Sequence, residues 1–281
     1  MRKIIIPTDF SENAQNAMRY AVELFKYDRC EVTILHAFAD EVYENNLNIS
    51  RSLFEEYKKK TKQSAEKELE ELLVFLREIS PNPRHAYKAK AVFSNLIDAV
   101  NEHAEKDNSD IVVMGTRGQT DDRDLTFGSN TLQVVKYVSC PVLAVPSNYT
   151  EWHPKNVLFP TPYLMPFRRR QLKLLNTLCK NFNAMVHFLY VSEYDNLSFR
   201  QQDNKAFLDY CMEENQRKYH TTKGKDVVKA VNRYIEKMKI DMLVMVNHRH
   251  SFLEDILHSN TIDKIGLKIQ VPFLILQNLP R

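Results

Sequence analysis

The sequence predicts an α/β protein built from two tandem copies of one parallel-sheet domain, the second copy shorter than the first. Three observations carry this. Short apolar runs rich in Ile and Val alternate with longer amphipathic stretches. The alternation breaks at a polar segment closed by proline and then restarts, and the restart repeats residues of the first half in the same order.

In the first half the apolar runs are residues 3–7, 31–37, 88–93, 110–114 and 141–145. They are nearly continuous rather than alternating, which suits strands buried on both faces of a parallel sheet. Between them, residues 11–27, 49–79, 94–106 and 129–138 show helical spacing, with Ser11 placed to cap the first helix and Ser94 the third. Ser80-Pro81-Asn82-Pro83 is a helix stop. Strands separated by helices require crossover connections, which put helices on both faces of the sheet.

Residues 147–154 form the linker, ending at Pro154, and set the expected domains at 1–147 and 154–281. Beyond it, strands are expected at 156–160, 185–191, 241–246 and 271–276, and helices at 167–181 and 226–238. Residues 217–224 carry a weak strand signal, and the long charged helix of the first copy has no full-length equivalent. The repeat is visible in the residues. Phe159-Pro160-Thr161 echoes Ile6-Pro7-Thr8, and Asp241-Met242-Leu243-Val244-Met245 echoes Asp110-Ile111-Val112-Val113-Met114. Ser259-Asn260-Thr261 repeats Ser129-Asn130-Thr131, and Val271-Pro272-Phe273-Leu274 answers Cys140-Pro141-Val142-Leu143.

Composition narrows the class. A chain of 281 residues can bury two cores, and 43% hydrophobic with 27% charged residues is a globular balance. The net charge of +3 gives no concentrated basic stripe for nucleic acid. Lys58-Lys59-Lys60 sits among Glu55, Glu56, Glu66 and Glu68 and reads as a solvated helix face. The first apolar run stops at Pro7 and Asp9, too short for a signal-peptide core, and no stretch approaches a membrane-spanning length. Cys30, Cys140, Cys179 and Cys211 form no C-x-x-C pair, so reduced thiols and a cytoplasmic location are expected.

The chain has five glycines, and three of them fall within fourteen residues: Gly115-Thr116-Arg117-Gly118, then nine residues, then Gly128-Ser129-Asn130-Thr131. The window opens where a strand ends and closes where a helix begins. Glycine there lets the backbone approach a ligand closely, and the open amides of the helix start face an anion. Phosphate binding is the natural use; a loop whose glycines merely turn corners is the alternative.

This pattern, G-x2-G-x9-G-[S/T] after a strand, stands with P-T-D-x-S closing the first strand, and together they resemble the universal stress protein family. The resemblance covers the whole chain as two copies, specific in the first and architectural in the second. It implies an adenine nucleotide alpha hydrolase-like fold, a doubly wound five-stranded parallel sheet in the order 3-2-1-4-5. It also implies an adenine nucleotide, ATP or AMP/ADP with Mg²⁺, at the carboxyl ends of strands one and four. Pro7, Thr8 and Asp9 would border adenine and ribose, with Asp9 a hydrogen-bond acceptor. Ala37 and Met114 would line the adenine pocket, where plain core packing is the alternative. Gly115 and Gly118 would offer backbone to ribose and phosphates, and Gly128, Ser129 and Asn130 would hold the phosphates. Arg117 and Arg123 could pair with phosphates and Asp121, Asp122 and Asp124 could hold Mg²⁺, or the loop is simply solvated.

Aligning the copies sets Pro162 against Asp9, Val246 against Gly115, Arg249 against Gly118 and His258 against Gly128. Proline has no carboxylate and valine resists the open backbone of glycine, so no nucleotide is expected in the second half. His248, His250 and His258, with Glu254 and Asp255 nearby, allow a transition-metal site without diagnostic spacing; filling the vacated space or facing a partner is the alternative. The family further implies pairing of the two copies through residues 141–145 and 271–276, a pseudo-dimer within one chain. A further homodimer or an unknown protein partner stays open. The expected function is a nucleotide-binding regulatory or sensor module of the stress response. Alternatives are a nucleotide-free interaction scaffold and a slow ATP-hydrolysing enzyme, although no Walker A lysine loop or dedicated general base stands out.

Overall fold

The computed structural model describes residues 1–44, 50–116, 127–147, 149–194, 196–247 and 270–277. The chain divides into two compact units, Met1–Asn148 and Tyr149–Arg281.

The first unit runs β1 (Arg2–Pro7), α1 (Glu12–Leu24), β2 (Cys30–Ala37), α2 (Ala39–Glu44), α3 (Arg51–Ile79), β3 (His85–Val92), α4 (Leu96–Asp107), β4 (Ile111–Gly115), α5 (Ser129–Tyr137) and β5 (Val142–Val145). Its strands lie in the order β3-β2-β1-β4-β5, with parallel pairing throughout. The second unit runs β6 (Asn156–Pro160), α6 (Arg169–Phe182), β7 (Met185–Ser192), α7 (Phe199–Cys211), β8 (Arg217–Lys223), α8 (Val227–Met238), β9 (Met242–Asn247) and β10 (Phe273–Gln277). Its order is β8-β7-β6-β9-β10, the same topology.

The inner strands are buried on both faces. Ile4, Ile5 and Ile6 of β1 and Val157, Leu158 and Phe159 of β6 are almost completely enclosed. Each such side chain contributes about 1.5–3 kcal/mol on burial. The small residues Ala14, Ala17 and Ala21 bring α1 close to the sheet, with Met18 and Leu24 filling beside them. The core of α3 is a stripe of Thr61, Ala65, Leu69, Leu72, Leu73 and Leu76 at three- and four-residue spacing.

Several elements differ from the sequence expectation. Strand β3 is not buried on both faces: it is an edge strand, half-exposed along its length. Asn95, not Ser94, caps α4, its side chain accepting from the Asp98 amide. Helices α2 and α7 carry too little periodicity to be read from the chain. The weak signal at 217–224 is a full strand, β8, paired with β7 at seven positions. Lys58 is not simply solvated either, because its ammonium lies 4.0 Å from the centre of the Phe93 ring. The second unit is shorter where expected, since the 13-residue α7 stands in place of the 29-residue α3.

The repeated aspartates have a structural cause. Asp110 accepts from the Lys3 amide at 2.8 Å, and its own amide donates to the Lys3 carbonyl at 2.8 Å. Asp241 does the same for β6, accepting from the amides of Lys155 (2.9 Å) and Asn156 (3.0 Å). Each carboxylate locks the start of the fourth strand of its unit to the start of the first.

All four cysteines are free thiols, with Cys30, Cys140 and Cys179 buried. Burial pushes the Cys30 and Cys179 thiols up to about 12, which leaves them unreactive. Among the described residues no helix is long and apolar enough to cross a membrane.

Candidate functional site

Strands β1 and β4 lie side by side, Ile4 opposite Ile111 and Ile5 opposite Val112. Their connections leave in opposite directions, α1 toward β2 and α5 toward β5. At such a switch point the carboxyl ends of the two strands open a crevice.

The β1 side of the crevice is a tightly specified turn. The Thr8 amide donates to the Leu35 carbonyl at 2.9 Å, extending the ladder with β2 by one bond. The Thr8 hydroxyl accepts from the Phe10 amide at 3.0 Å, and Phe10 stands at φ 62°, the left-handed region. A bulky residue there is strained by about 1–2 kcal/mol. Asp9, next in the turn, is half-exposed. Ser11 caps α1, accepting from the Ala14 amide, while its own hydroxyl donates to Asp9 Oδ1 at 2.6 Å and its amide to the same oxygen at 3.2 Å. The carboxylate is therefore anchored beside the helix start without serving as its cap.

The β4 side is closed by two bonds. The Gly128 amide donates to the Thr116 carbonyl at 2.8 Å, and the buried Thr131 hydroxyl donates to the Gly115 carbonyl at 2.9 Å. Together they fasten the start of α5 to the end of β4. Gly128 occupies the cap position and has no side chain to satisfy the first-turn amides. Ser129 and Asn130 follow, both exposed.

The fold thus brings Pro7, Thr8 and Asp9 to one wall and Gly115, Gly128, Ser129 and Asn130 to the other. Ala37 ends β2 and is half-buried, next along the sheet from β1. Met114 is buried in β4 and packs as core. Arg117, Gly118, Asp121, Asp122, Arg123 and Asp124 lie outside the described residues, as do His248, His250, Glu254, Asp255 and His258. Among the described residues no three His, Cys, Asp or Glu side chains cluster as a metal site. An open groove of about 580 Å³ lies elsewhere, along α6 and the end of α7 beside Arg170, Lys173 and Asn215, and contains none of the motif residues.

Sequence reasoning missed His36. Its ring is buried beneath the turn, Nδ1 lies 2.8 Å from the Thr8 carbonyl, and the ring centre is 4.5 Å from that of Phe10. It also missed the Thr131 tether. The only signal was the repeat of Ser-Asn-Thr in both halves, which gives no hint of a bond back to Gly115.

A family model described as the universal stress protein family matches residues 1–146 and 172–277. The chain belongs to the universal stress protein family. It is 30% identical over 159 residues to universal stress protein MJ0577 of Methanocaldococcus jannaschii, an alignment that takes in 51% of this chain and 94% of that protein. It is also 30% identical over 149 residues to universal stress protein MJ0531 of the same organism, covering 51% of this chain and 81% of the relative. A crystal structure of a universal stress protein from Archaeoglobus fulgidus DSM 4304 superimposes with a TM-score of 0.69 and 17% identity, over 98% of this chain and 96% of the other. The curated relatives match about half of the chain and that structure nearly all of it, as expected of a tandem member of the family.

The second unit of this universal stress protein repeats the two threonine bonds of the β1 turn. The Thr161 amide donates to the Leu189 carbonyl at 2.9 Å, and the Tyr163 amide to the Thr161 hydroxyl at 3.1 Å, with Tyr163 at φ 54°. Thr161 is thus the counterpart of Thr8 and Pro162 that of Asp9. On the other wall Leu276 pairs with Val246 as Val145 pairs with Gly115. The turn is conserved between the copies, while the carboxylate and the glycine are replaced.

Proposed function

We propose that the first unit binds an adenine nucleotide, ATP or a shorter form, in the crevice between β1 and β4, and that the second unit does not. The observation that carries this reading is the pair of bonds fastening α5 to β4, Gly128 amide to Thr116 and Thr131 hydroxyl to Gly115. They set a helix start with unfilled amides beside a glycine-ended strand, opposite an anchored carboxylate. Phosphates suit the first, and the ribose hydroxyls suit Asp9 as donors to an acceptor. Arg117, Gly118 and Asn130 would extend the phosphate contact, with Mg²⁺ supplied alongside the nucleotide. In the second unit, Pro162 offers no carboxylate and Val246 puts a β-branched side chain where the first unit leaves backbone bare.

Binding that alters conformation, rather than turnover, is the proposed mode of action, a regulatory module of the stress response in the cytoplasm. Thermal-shift titration with ATP and Mg²⁺ tests the reading, because a ligand selective for the native state raises apparent stability. We expect saturation at one nucleotide per chain and loss of the shift in Gly128→Val. No shift at millimolar nucleotide would sink it and favour the nucleotide-free scaffold.

A further inference from the structure

On the sheet face under α8, the second unit holds a cluster unrelated to the crevice. His187 of β7 and His220 of β8 face each other with Nδ1 and Nε2 3.3 Å apart. Their ring centres are 5.4 Å apart and their planes differ by 22°, so the nitrogens are the facing edges. His187 is 2% exposed, and its other nitrogen, Nε2, lies 3.3 Å from Asn156 Oδ1. That oxygen can only accept, so Nε2 carries the proton and Nδ1 accepts from His220 Nε2–H, a proton that moves to Nδ1 of His220 when both facing nitrogens ligate. Tyr234 of α8 closes the cluster, its ring 5.0 Å from that of His220 and 6.1 Å from that of His187. Its buried hydroxyl has no hydrogen-bond partner among the described residues.

We propose that His187 and His220 form a two-imidazole site for a borderline divalent cation such as Zn²⁺, Ni²⁺ or Cu²⁺. Two features support it. Two nitrogens on tetrahedral Zn–N bonds of 2.0–2.1 Å stand about 3.4 Å apart, which the pair already meets. A histidine ligand characteristically donates its second N–H to a neighbouring oxygen, the part Asn156 plays here. The Tyr234 ring packs against both imidazoles and shields the pair on the helix side. Neutral imidazole is the form that ligates, and it suits these metals above Mg²⁺ or Ca²⁺.

The first unit shows that the cluster is not a requirement of the fold. At the matching register, Thr33 opposite Ile5 replaces His187 opposite Leu158. Lys90 opposite Leu35 replaces His220 opposite Leu189. With two protein nitrogens and the Lys218 charge on the same strand as His220, the affinity will be below that of four-ligand structural zinc sites.

The test uses the full chain, purified without a polyhistidine tag and stripped with chelator. Zn²⁺ is titrated by calorimetry and Co²⁺ by its visible absorption, which reports nitrogen ligation in a tetrahedral field. We expect wild type to bind one equivalent that is lost, or weakened at least tenfold, in both His220→Ala and His187→Gln. Any metal held by histidines elsewhere in the chain would persist in these variants. His220 sits on an edge strand, so its variant keeps the fold, checked by circular dichroism and by an unchanged response to ATP. Equal stoichiometry and affinity in wild type and His220→Ala would overturn the proposal, and so would no binding by wild type. The proposal is independent of the nucleotide reading.

Discussion

At the scale of single residues, the turn after β1 shows how one backbone geometry is kept while its chemistry changes. Thr8 and Thr161 hold the same turn, and Phe10 and Tyr163 take the same left-handed conformation. The residue between them changes from Asp9 to Pro162, while an aromatic residue is kept at the left-handed position. Asp9→Ala is therefore expected to abolish the ATP-induced thermal shift while changing the melting temperature of the nucleotide-free protein little. Thr8→Val, which removes the acceptor for the Phe10 amide, is expected to cost about 1 kcal/mol and weaken nucleotide binding as well, measured by denaturant melts and calorimetry. A second residue-scale strain sits at the end of α8, where Lys239 holds the left-handed cap at φ 49°. Asn108 and Asn183 take the same role in α4 and α6 at lower cost. Lys239→Gly should stabilise the protein by about 0.5–1 kcal/mol in urea unfolding, and a loss of stability would show that the lysine has contacts that matter more. Positive φ at Phe10, Tyr163 and Lys239 was invisible in the sequence, because aromatic and lysine residues give no hint of it.

At the scale of elements, strand order and pairing decide which side chains meet. The Thr131 hydroxyl reaches back to the Gly115 carbonyl, so α5 is tethered to β4 independently of the loop between them. Thr131→Val keeps the shape and removes the bond. It should cost about 1 kcal/mol and reduce the ATP response, whereas an unchanged response would mean the helix start is held by other means. Under α8, burial and the nearby His220 and Lys218 lower the His187 pKa from its usual 6.5 to about 4. His220 is also lowered, first by burial and then by Lys218. The native state thus holds His187 neutral while the unfolded chain takes up its proton near pH 6.5. The stability this histidine contributes is complete above that pH and is lost as pH falls toward 4. Asp241, raised to about 6 by burial despite the amides of Lys155 and Asn156, works the other way over the range below 6. The comparison that isolates His187 is therefore with His187→Gln in chelator. The stability gap between the two proteins should narrow as pH drops from 7 to 4.5, and a constant gap would contradict the assignment.

At the scale of the whole chain, duplication has let two copies of one fold diverge at their crevices without loss of topology. One nucleotide per chain is the corresponding expectation, by calorimetric stoichiometry. Val246→Gly alone should not restore binding to the second unit, because Pro162 still leaves it without the carboxylate. Two nucleotides per wild-type chain would refute the asymmetry.

The tandem repeat, the parallel strands and the phosphate-type glycine pattern were determined by the sequence itself, because each is a local matter of period, composition or spacing. The second copy's loss of Asp9 and Gly115 was legible for the same reason, since the echoing residues on either side fixed the alignment. What the tertiary structure alone decided are the contacts that join distant stretches. Asp110 locks to Lys3 across 107 residues of chain, His36 sits under Thr8, Thr131 ties back to Gly115, and His187 faces His220. Each depends on strand order, and for the strand residues His36, His187 and His220 a one-residue slip would turn the side chain to the other face. No local window of sequence carries that information.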